Sequence, residues 1–450
     1  MPVSAPPPRE SRPSFVSAVA ATYLTNAFVA GLSLANVLIT ARALGPEGRG
    51  GLAFMTTMAM LTATLASLGV EEANGNLAGT QPGLRRALAT NSVVIALVVG
   101  CSAAGLLLGL IEAFPSVGGD STPALRWIAM AAIPILVLQV YLQFLVRADY
   151  GFRATNLAAL VGPVLSVLAN GILVALDVIT VETALATWVV AQGLGTLVLV
   201  WYVDRRLAGF GRPDFRLAGR AAGFGIKAHL GRVMKTGNYR LDQWILGAMA
   251  GSRELGLYSV AVAWSEALFY LPEALGMVLR PDVVRASHAD AGSRVAVVFR
   301  AAILLSIPFV IVLIVAAPIL CVTVFGDDFR GSVDDLRVLA PGAFGIVALK
   351  LLGNALTARG RPLLANVGVA VAFGVTVGLD VALIPALGGL GAATASTVAY
   401  TVGGLAGVAV FTHTMRVRLV ALVPRRQDLV RLAVSLRAVR GRGGRTMIKP

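Results

Sequence analysis

The sequence predicts an all-α, polytopic membrane protein with about twelve transmembrane helices, arranged as two parallel six-helix lobes around a central cavity. Three observations support this prediction. The chain is 57% hydrophobic and 14% charged, with a mean hydropathy of +0.79, whereas soluble domains are about 25% charged. Apolar runs recur along the chain at the length of roughly 20 residues that spans a bilayer. The two halves also carry similar short patterns in the same order.

The apolar runs account for nearly all of the chain and leave no room for a soluble domain. They lie at 15–41, 51–69, 88–111, 125–146, 156–176, 184–203, 223–250, 257–279, 299–324, 338–357, 364–385 and 391–413. We therefore expect a disordered cytoplasmic N-terminus, an N-lobe of helices 1–6, a cytoplasmic linker, a C-lobe of helices 7–12 and a basic cytoplasmic tail. These parts correspond to residues 1–14, 15–203, 204–222, 223–413 and 414–450.

The net charge of +15 is distributed as in a membrane protein, which argues against nucleic acid as a partner. Arginines concentrate in alternate loops, as the positive-inside rule describes, and this places both termini in the cytoplasm. The polar stretch 223–250 is counted as a crossing for the same reason. If it were instead an interfacial amphipathic helix, the later loops would change sides. Arg280 and Arg285 would then face outward, and the acidic loop 327–335 would face inward.

Short patterns recur between the two halves at a nearly constant spacing. Gly45 and Gly50 enclose four residues, and Gly251 and Gly256 do the same 206 residues later. Leu125-Arg126 matches Leu336-Arg337, and Thr187 matches Thr394, at similar offsets. Six spans in each half predict parallel repeats, which form two bundles that face each other and alternate access to a central site.

The seventh span carries five charges, at Lys227, Arg232, Lys235, Arg240 and Asp242. A charge inside a bilayer costs at least about 2.5–3.5 kcal/mol, so such groups usually face a wet cavity or a partner. Helical spacing puts most polar residues of this span on one face, while Arg240 points away toward a neighbouring helix. That face comprises Lys227, Gly231, Arg232, Lys235, Asn238, Tyr239 and Asp242. Because positive charges outnumber negative ones, we expect an anionic cargo.

Two further polar pairs occupy matching positions in the two halves. Gln139 and Gln143 lie one turn apart in span four, and Lys350 and Asn354 occupy the same offset in span ten. Such pairs can hold a diphosphate, by charge from one lobe and by amide hydrogen bonds from the other. Alternatively, the two glutamines only join neighbouring helices.

Span eight supplies acidic partners along one stripe, formed by Ser259, Glu266, Tyr270 and Glu273. Together with Asp242, these groups either neutralise Lys235 or Arg240, or carry a proton or sodium ion that drives transport. The spacing alone does not decide between the two roles.

No motif for other chemistry is present. The two cysteines and three histidines have no metal-ligand spacing, and no phosphate-binding loop for ATP occurs. We therefore predict no catalytic residue, no metal site and no cofactor. The basic tail either attracts anionic lipid or is a solvated segment that only fixes the topology.

Several segments resemble one known family. ITARALGPEGRGGLAF is similar to the first-loop signature of bacterial polysaccharide flippases, and GSRELGLYSVA to its second-half counterpart. VFGDDFRGSVDDLRVLAPG, NALTARGRP and ALGGLGAATAST resemble the last three helices of the family. These flippases belong to the multidrug/oligosaccharidyl-lipid/polysaccharide exporter superfamily. Arg49 stands where the family usually has an aromatic residue, and spans one and two lack the arginines of relatives that flip the peptidoglycan precursor.

The resemblance implies a flippase of the bacterial cytoplasmic membrane that moves an undecaprenyl-diphosphate-linked oligosaccharide and works with glycan-assembly enzymes. An ion-coupled antiporter for drugs or organic cations, from the same superfamily, is the first alternative. A membrane enzyme of glycan assembly is the second, and the lack of a catalytic cluster argues against it.

Overall fold

The computed structural model describes residues 15–207, 209–425 and 427–428, and within this part the chain forms helices and no strand. The predicted segment 1–14 and most of the predicted tail lie outside the described residues. The thirteen α-helices are α1 Phe15–Ala66, α2 Val70–Thr80, α3 Arg85–Ala113, α4 Pro123–Ala148, α5 Phe152–Ala175, α6 Val181–Arg206, α7 Phe215–Met249, α8 Gly251–Glu266, α9 Tyr270–Arg285, α10 His288–Pro318, α11 Ser332–Leu339, α12 Ala343–Ala358 and α13 Pro362–Met415.

Eight helices in the described part of the chain are long and apolar enough to cross a membrane. Two of them, α1 and α13, each contain a glycine with non-helical backbone angles, Gly45 and Gly388, which divides them into two helical segments. The polar helix α7 and the pair α8–α9 are not among the eight. The all-α, multi-pass class is confirmed, whereas the number of twelve crossings stays a prediction.

Local sequence explains where several helices begin and end. Thr122 accepts a hydrogen bond from Leu125 N at the start of α4, and Asp214 does the same for Leu217 N at the start of α7. The non-helical connection between α6 and α7 is therefore shorter than the predicted linker 204–222. It docks on α3, because Asn91 exchanges two hydrogen bonds with the backbone of Asp214.

The eighth predicted span is interrupted. α8 ends at Glu266, a 3₁₀ turn follows at Ala267–Phe269, and α9 begins at Tyr270. Ser259, Glu266 and Tyr270 of the predicted stripe still line one common cavity, which is described below. Glu273 departs from the stripe and pairs with Lys350, because the tighter turn changes the helical phase after Glu266.

The recurring glycines bring the two halves of the chain into backbone contact. We call the end that contains residues 45–50 and 251–256 the first-loop end. There, a Cβ atom on Gly50 would overlap the carbonyl oxygen of Ser252, and one on Gly256 would overlap that of Pro46. Each contact maps onto the other by the 206-residue offset. The glycines are thus required by the close crossing of α1 and α8.

A second close contact lies at the opposite end, which we call the linker end after the 207–214 connection. Gly69 and Gly225 meet backbone to backbone, and a Cβ on either would overlap the carbonyl group of the other. The His229 imidazole also contacts Leu65 O, with Nε2 3.1 Å away. α1 and α7 are therefore joined at this end too.

Gly50→Ala should lower the melting temperature of the purified protein, because the added methyl group overlaps the Ser252 carbonyl and overpacking costs about 1–3 kcal/mol. Gly105→Ala in α3 is the matched control, since a Cβ there meets no atom within 4 Å. The control gains the helix propensity of alanine without the clash. Equal melting temperatures for Gly50→Ala and Gly105→Ala would contradict the close crossing.

Candidate functional site

A cavity of about 640 Å³ lies between the two halves. It is bounded by both segments of α1 and by α4, α5 and α6 on one side, and by α7, α8 and the start of α9 on the other. The charged groups of its lining are Arg49, Arg240 and Glu266, which give a net charge of +1 among the described residues.

The remaining polar lining is rich in amides and hydroxyls. The amides are Asn36, Gln139, Gln143, Gln192 and Gln243. Such groups both donate and accept hydrogen bonds, as sugar hydroxyls require of a binding site. The structure thus places the predicted residues Gln139 and Gln143 in the cavity, together with Tyr270.

Arg240 and Glu266 form a bidentate ion pair on the cavity wall. The guanidinium donates to the two carboxylate oxygens over 2.6 and 3.2 Å, and it also donates to Tyr239 O. Glu266 is available because α8 ends there. Arg240, expected to point away from the polar face of α7, is the residue of that helix that lines the cavity with Gln243.

The side chains of Asn238 and Asp242 instead contact other helices of the second half. Asn238 donates to Val369 O over 2.9 Å. Asp242 accepts hydrogen bonds from the Tyr258 hydroxyl at 2.5 Å and from the Ser396 hydroxyl at 3.2 Å. The predicted polar face of α7 therefore differs from the cavity face, because α8 and α13 enclose part of it.

Asp380 in α13 is a buried carboxylate that our sequence analysis missed. It is 0% exposed, and neither of its oxygens has a hydrogen-bond partner among the described residues. It lies within electrostatic range of Asp242. A single carboxylate inside an otherwise apolar span, 364–385, was the available signal.

Lys350 sits in a closed network rather than in the cavity. Its ammonium donates to Glu273 over 2.8 Å and to Phe269 O over 3.2 Å. The rings of Tyr239 and Phe269 lie 5.9 and 5.5 Å from the same nitrogen, within cation–π range. Asn354, one turn further along α12, is exposed and lies beside Gly276.

Arg232 and Lys235 lie nearer the linker end of α7. Arg232 pairs with the fully buried Glu71 at 3.3 Å and lies over the Phe144 ring. Lys235 is exposed and makes no hydrogen bond or ion pair with any residue in the described ranges. Glu71 was missed because it lies just beyond the predicted second span. The side chain of Lys227 lies outside the described residues.

Within residues 15–207, 209–425 and 427–428, no group of three or more His, Cys, Asp or Glu side chains has the geometry to hold a metal ion. The cavity lining itself carries a net positive charge and several hydrogen-bonding amides, and both suit the binding of a polar anion.

Glu266→Gln should lower the melting temperature, because Arg240 would lose its partner while remaining half-buried. Breaking a fully buried pair costs about 3–5 kcal/mol, and this partly exposed pair should lose a fraction of that. The double variant Arg240→Gln, Glu266→Gln should recover stability, and Glu112→Gln on the exposed face of α3 is the control. A double variant no more stable than Glu266→Gln would contradict a structural pair.

Comparison with solved structures gives the fold class. The lipid II flippase MurJ in an inward closed conformation matches 92% of this chain and 90% of its own length, with 10% identity and a TM-score of 0.74. An inward-facing multidrug resistance transporter of the MATE family matches 87% and 94%, with 15% identity and a TM-score of 0.66. A MOP superfamily transporter from Pyrococcus furiosus, described as having a binding pocket of reverse polarity, matches 92% and 99%, with 14% identity and a TM-score of 0.62.

At these identities the likeness establishes a shared fold. No curated protein matches the sequence significantly. The sequence model of the polysaccharide biosynthesis protein family matches residues 39–334, about two thirds of the chain. The chain therefore belongs to the polysaccharide biosynthesis protein family and has the fold of the MOP superfamily transporters.

Proposed function

We propose that this protein flips an undecaprenyl-diphosphate-linked oligosaccharide across the bacterial cytoplasmic membrane by alternating access. The observation that carries this proposal is the net positive, amide-rich cavity between the two halves. Positive charge suits an anionic cargo, and the amides suit its sugars. Membership of a polysaccharide biosynthesis family supports a glycan as cargo.

The charge of the cavity decides between this proposal and a drug or organic-cation antiporter. A site for cations needs a carboxylate without a compensating cation. Within the described lining, the single carboxylate, Glu266, is already paired with Arg240. The name of the similar MurJ also states a lipid-linked cargo, lipid II, which supports the same class of cargo here.

The diphosphate is assigned to the neighbourhood of Lys235. α7 rises about 1.5 Å per residue, so Lys235 lies roughly 7.5 Å closer to the linker end than Arg240. Its charge is exposed and unpaired among the described residues, in contrast to those of Lys350 and Arg232. With the linker on the cytoplasmic side, as the loop arginines indicate, Lys235 meets the cargo as it enters from the inner leaflet.

Reconstitution into proteoliposomes tests the proposal directly. The inner-leaflet fraction of a fluorescent undecaprenyl-diphosphate-linked oligosaccharide should become accessible to an external glycosidase only in vesicles that contain the protein. Vesicles in which the protein exports a fluorescent organic cation but leaves the lipid-linked sugar protected would overturn it.

Lys235→Gln should reduce flipping at least tenfold while leaving the melting temperature unchanged, because Lys235 has no ion pair to lose. Lys235→Arg should keep partial activity. Lys350→Gln should also lose activity, together with stability, since its network with Glu273 breaks. Arg253→Gln, an exposed charge outside the cavity, is the matched control. Full flipping by Lys235→Gln would contradict the assignment.

We propose further that Asp242 and Asp380 hold the coupling ion, in place of Glu266 and Glu273. The latter two are paired with Arg240 and Lys350. Two neighbouring buried carboxylates cannot both stay charged without a shared proton or a bound cation. The Tyr258 and Ser396 hydroxyl groups lie beside Asp242, and the carboxylate oxygens of Asp380 accept no hydrogen bond from the described residues. These oxygen atoms suit either a proton or a sodium ion.

Asp380→Asn should fold with equal or higher stability, because a neutral amide is less costly to bury than a charge. Its flipping rate should no longer respond to an imposed proton or sodium gradient, each applied separately. Asp328→Asn, on an exposed turn, should respond like the wild type. An unchanged gradient response of Asp380→Asn would refute the coupling role.

A further inference from the structure

Arg49 is the one charged residue of the cavity lining without a partner in the described part of the chain. Its Nε atom is buried and has no hydrogen-bond acceptor. The other charged lining residues, Arg240 and Glu266, neutralise each other. The net positive charge of the cavity is therefore the charge of Arg49.

The position of this charge is unfavourable without a ligand. Arg49 lies within electrostatic range of Arg240, a second cation. A guanidinium cannot lose its proton in a protein, so the repulsion and the desolvation cost persist. Arg49 is half-buried with its Nε atom enclosed, so an anion bound beside it would offset this cost. The cavity itself offers space for an anion of the cargo beside Arg49.

Arg49 also lies far from Lys235 along the membrane normal. Arg49 lies within the first-loop end, four residues after the kink at Gly45, whereas Lys235 precedes the end of α7 at Met249 by roughly 21 Å. The amides Gln139, Gln143 and Gln192 line the same cavity as Arg49. A cargo whose diphosphate is at Lys235 would extend its sugars toward Arg49.

We infer that Arg49 forms a subsite for an oxyanion carried by the oligosaccharide, such as the carboxylate of a uronic acid. This inference rests on the proposed function and deepens it, because it selects acidic glycans over neutral ones. Arginine suits this role since its planar guanidinium holds a carboxylate through two parallel hydrogen bonds. The diphosphate of the lipid is the alternative source of an oxyanion.

Three probes separate the sources of the anion: undecaprenyl diphosphate alone, and two lipid-linked disaccharides that differ only in a glucuronate or a glucose unit. Binding to the detergent-solubilised full-length protein is followed by intrinsic tryptophan fluorescence, since Trp188 lines the cavity. The wild type should bind the acidic disaccharide lipid at least tenfold more tightly than the neutral one.

Arg49→Gln should abolish this preference, while its affinities for undecaprenyl diphosphate and for the neutral lipid stay within twofold of the wild type. Arg49→Lys should keep part of the preference. Arg253→Gln removes a charge at the same end outside the cavity, and it should behave like the wild type. Melting temperatures of all variants report whether each one folds.

A uniform loss of affinity for all three probes in a folded Arg49→Gln protein would assign Arg49 to the diphosphate and overturn the sugar subsite. Unchanged affinities for all three probes would overturn the subsite altogether. Failure of the wild type to bind any of the lipids would refute the proposed function instead, so the two failures are distinguishable.

Discussion

Pairing of buried charges is the constraint on which the second half of the molecule depends. An ionised side chain removed from water needs a counter-charge or a ligand. Four cations of this half satisfy the requirement internally among the described residues, through Arg240–Glu266, Lys350–Glu273, Arg232–Glu71 and Arg300–Asp428.

These pairs also determine how the helices are joined. Arg240–Glu266 links α7 to α8, Lys350–Glu273 links α12 to α9, and Arg232–Glu71 links the two halves. Because a 3₁₀ turn separates α8 from α9, Glu266 and Glu273 point in different directions, the first toward Arg240 and the second toward Lys350. Lys235 and Arg49 form no ion pair among the described residues, and we assign them to the cargo because a permanent internal partner would compete with it.

The sequence predicted the helical membrane class, the close relation of the two halves and the charged character of α7, because these follow from composition and spacing. It did not predict which face of α7 meets the cavity. Helical periodicity groups Asn238 with Lys235, but the packing of α13 buries Asn238. Arg49 was assigned to a loop, whereas in the structure the second segment of α1 begins directly after the kink at Gly45 and packs closely against α8.

Asp380 shows a second reason why the sequence alone did not predict every buried charged group. A lone carboxylate in an apolar span is visible in the sequence, but its neighbour Asp242 lies more than a hundred residues earlier. Only the packing of α13 against α7 brings the two together. The sequence repeat predicted equivalent positions for the polar pairs of the two halves, but their surroundings differ. Gln139 and Gln143 line the cavity, whereas Lys350 is enclosed by aromatic rings.

The most direct test of the account is an electron cryomicroscopy structure of the protein with an undecaprenyl-diphosphate-linked oligosaccharide. We expect the diphosphate within hydrogen-bond distance of the Lys235 ammonium and the sugars between the halves, against Gln139 and Gln143. A cargo bound only on the outer surface of the bundle, with the cavity empty and Lys235 in contact with acyl chains, would contradict it.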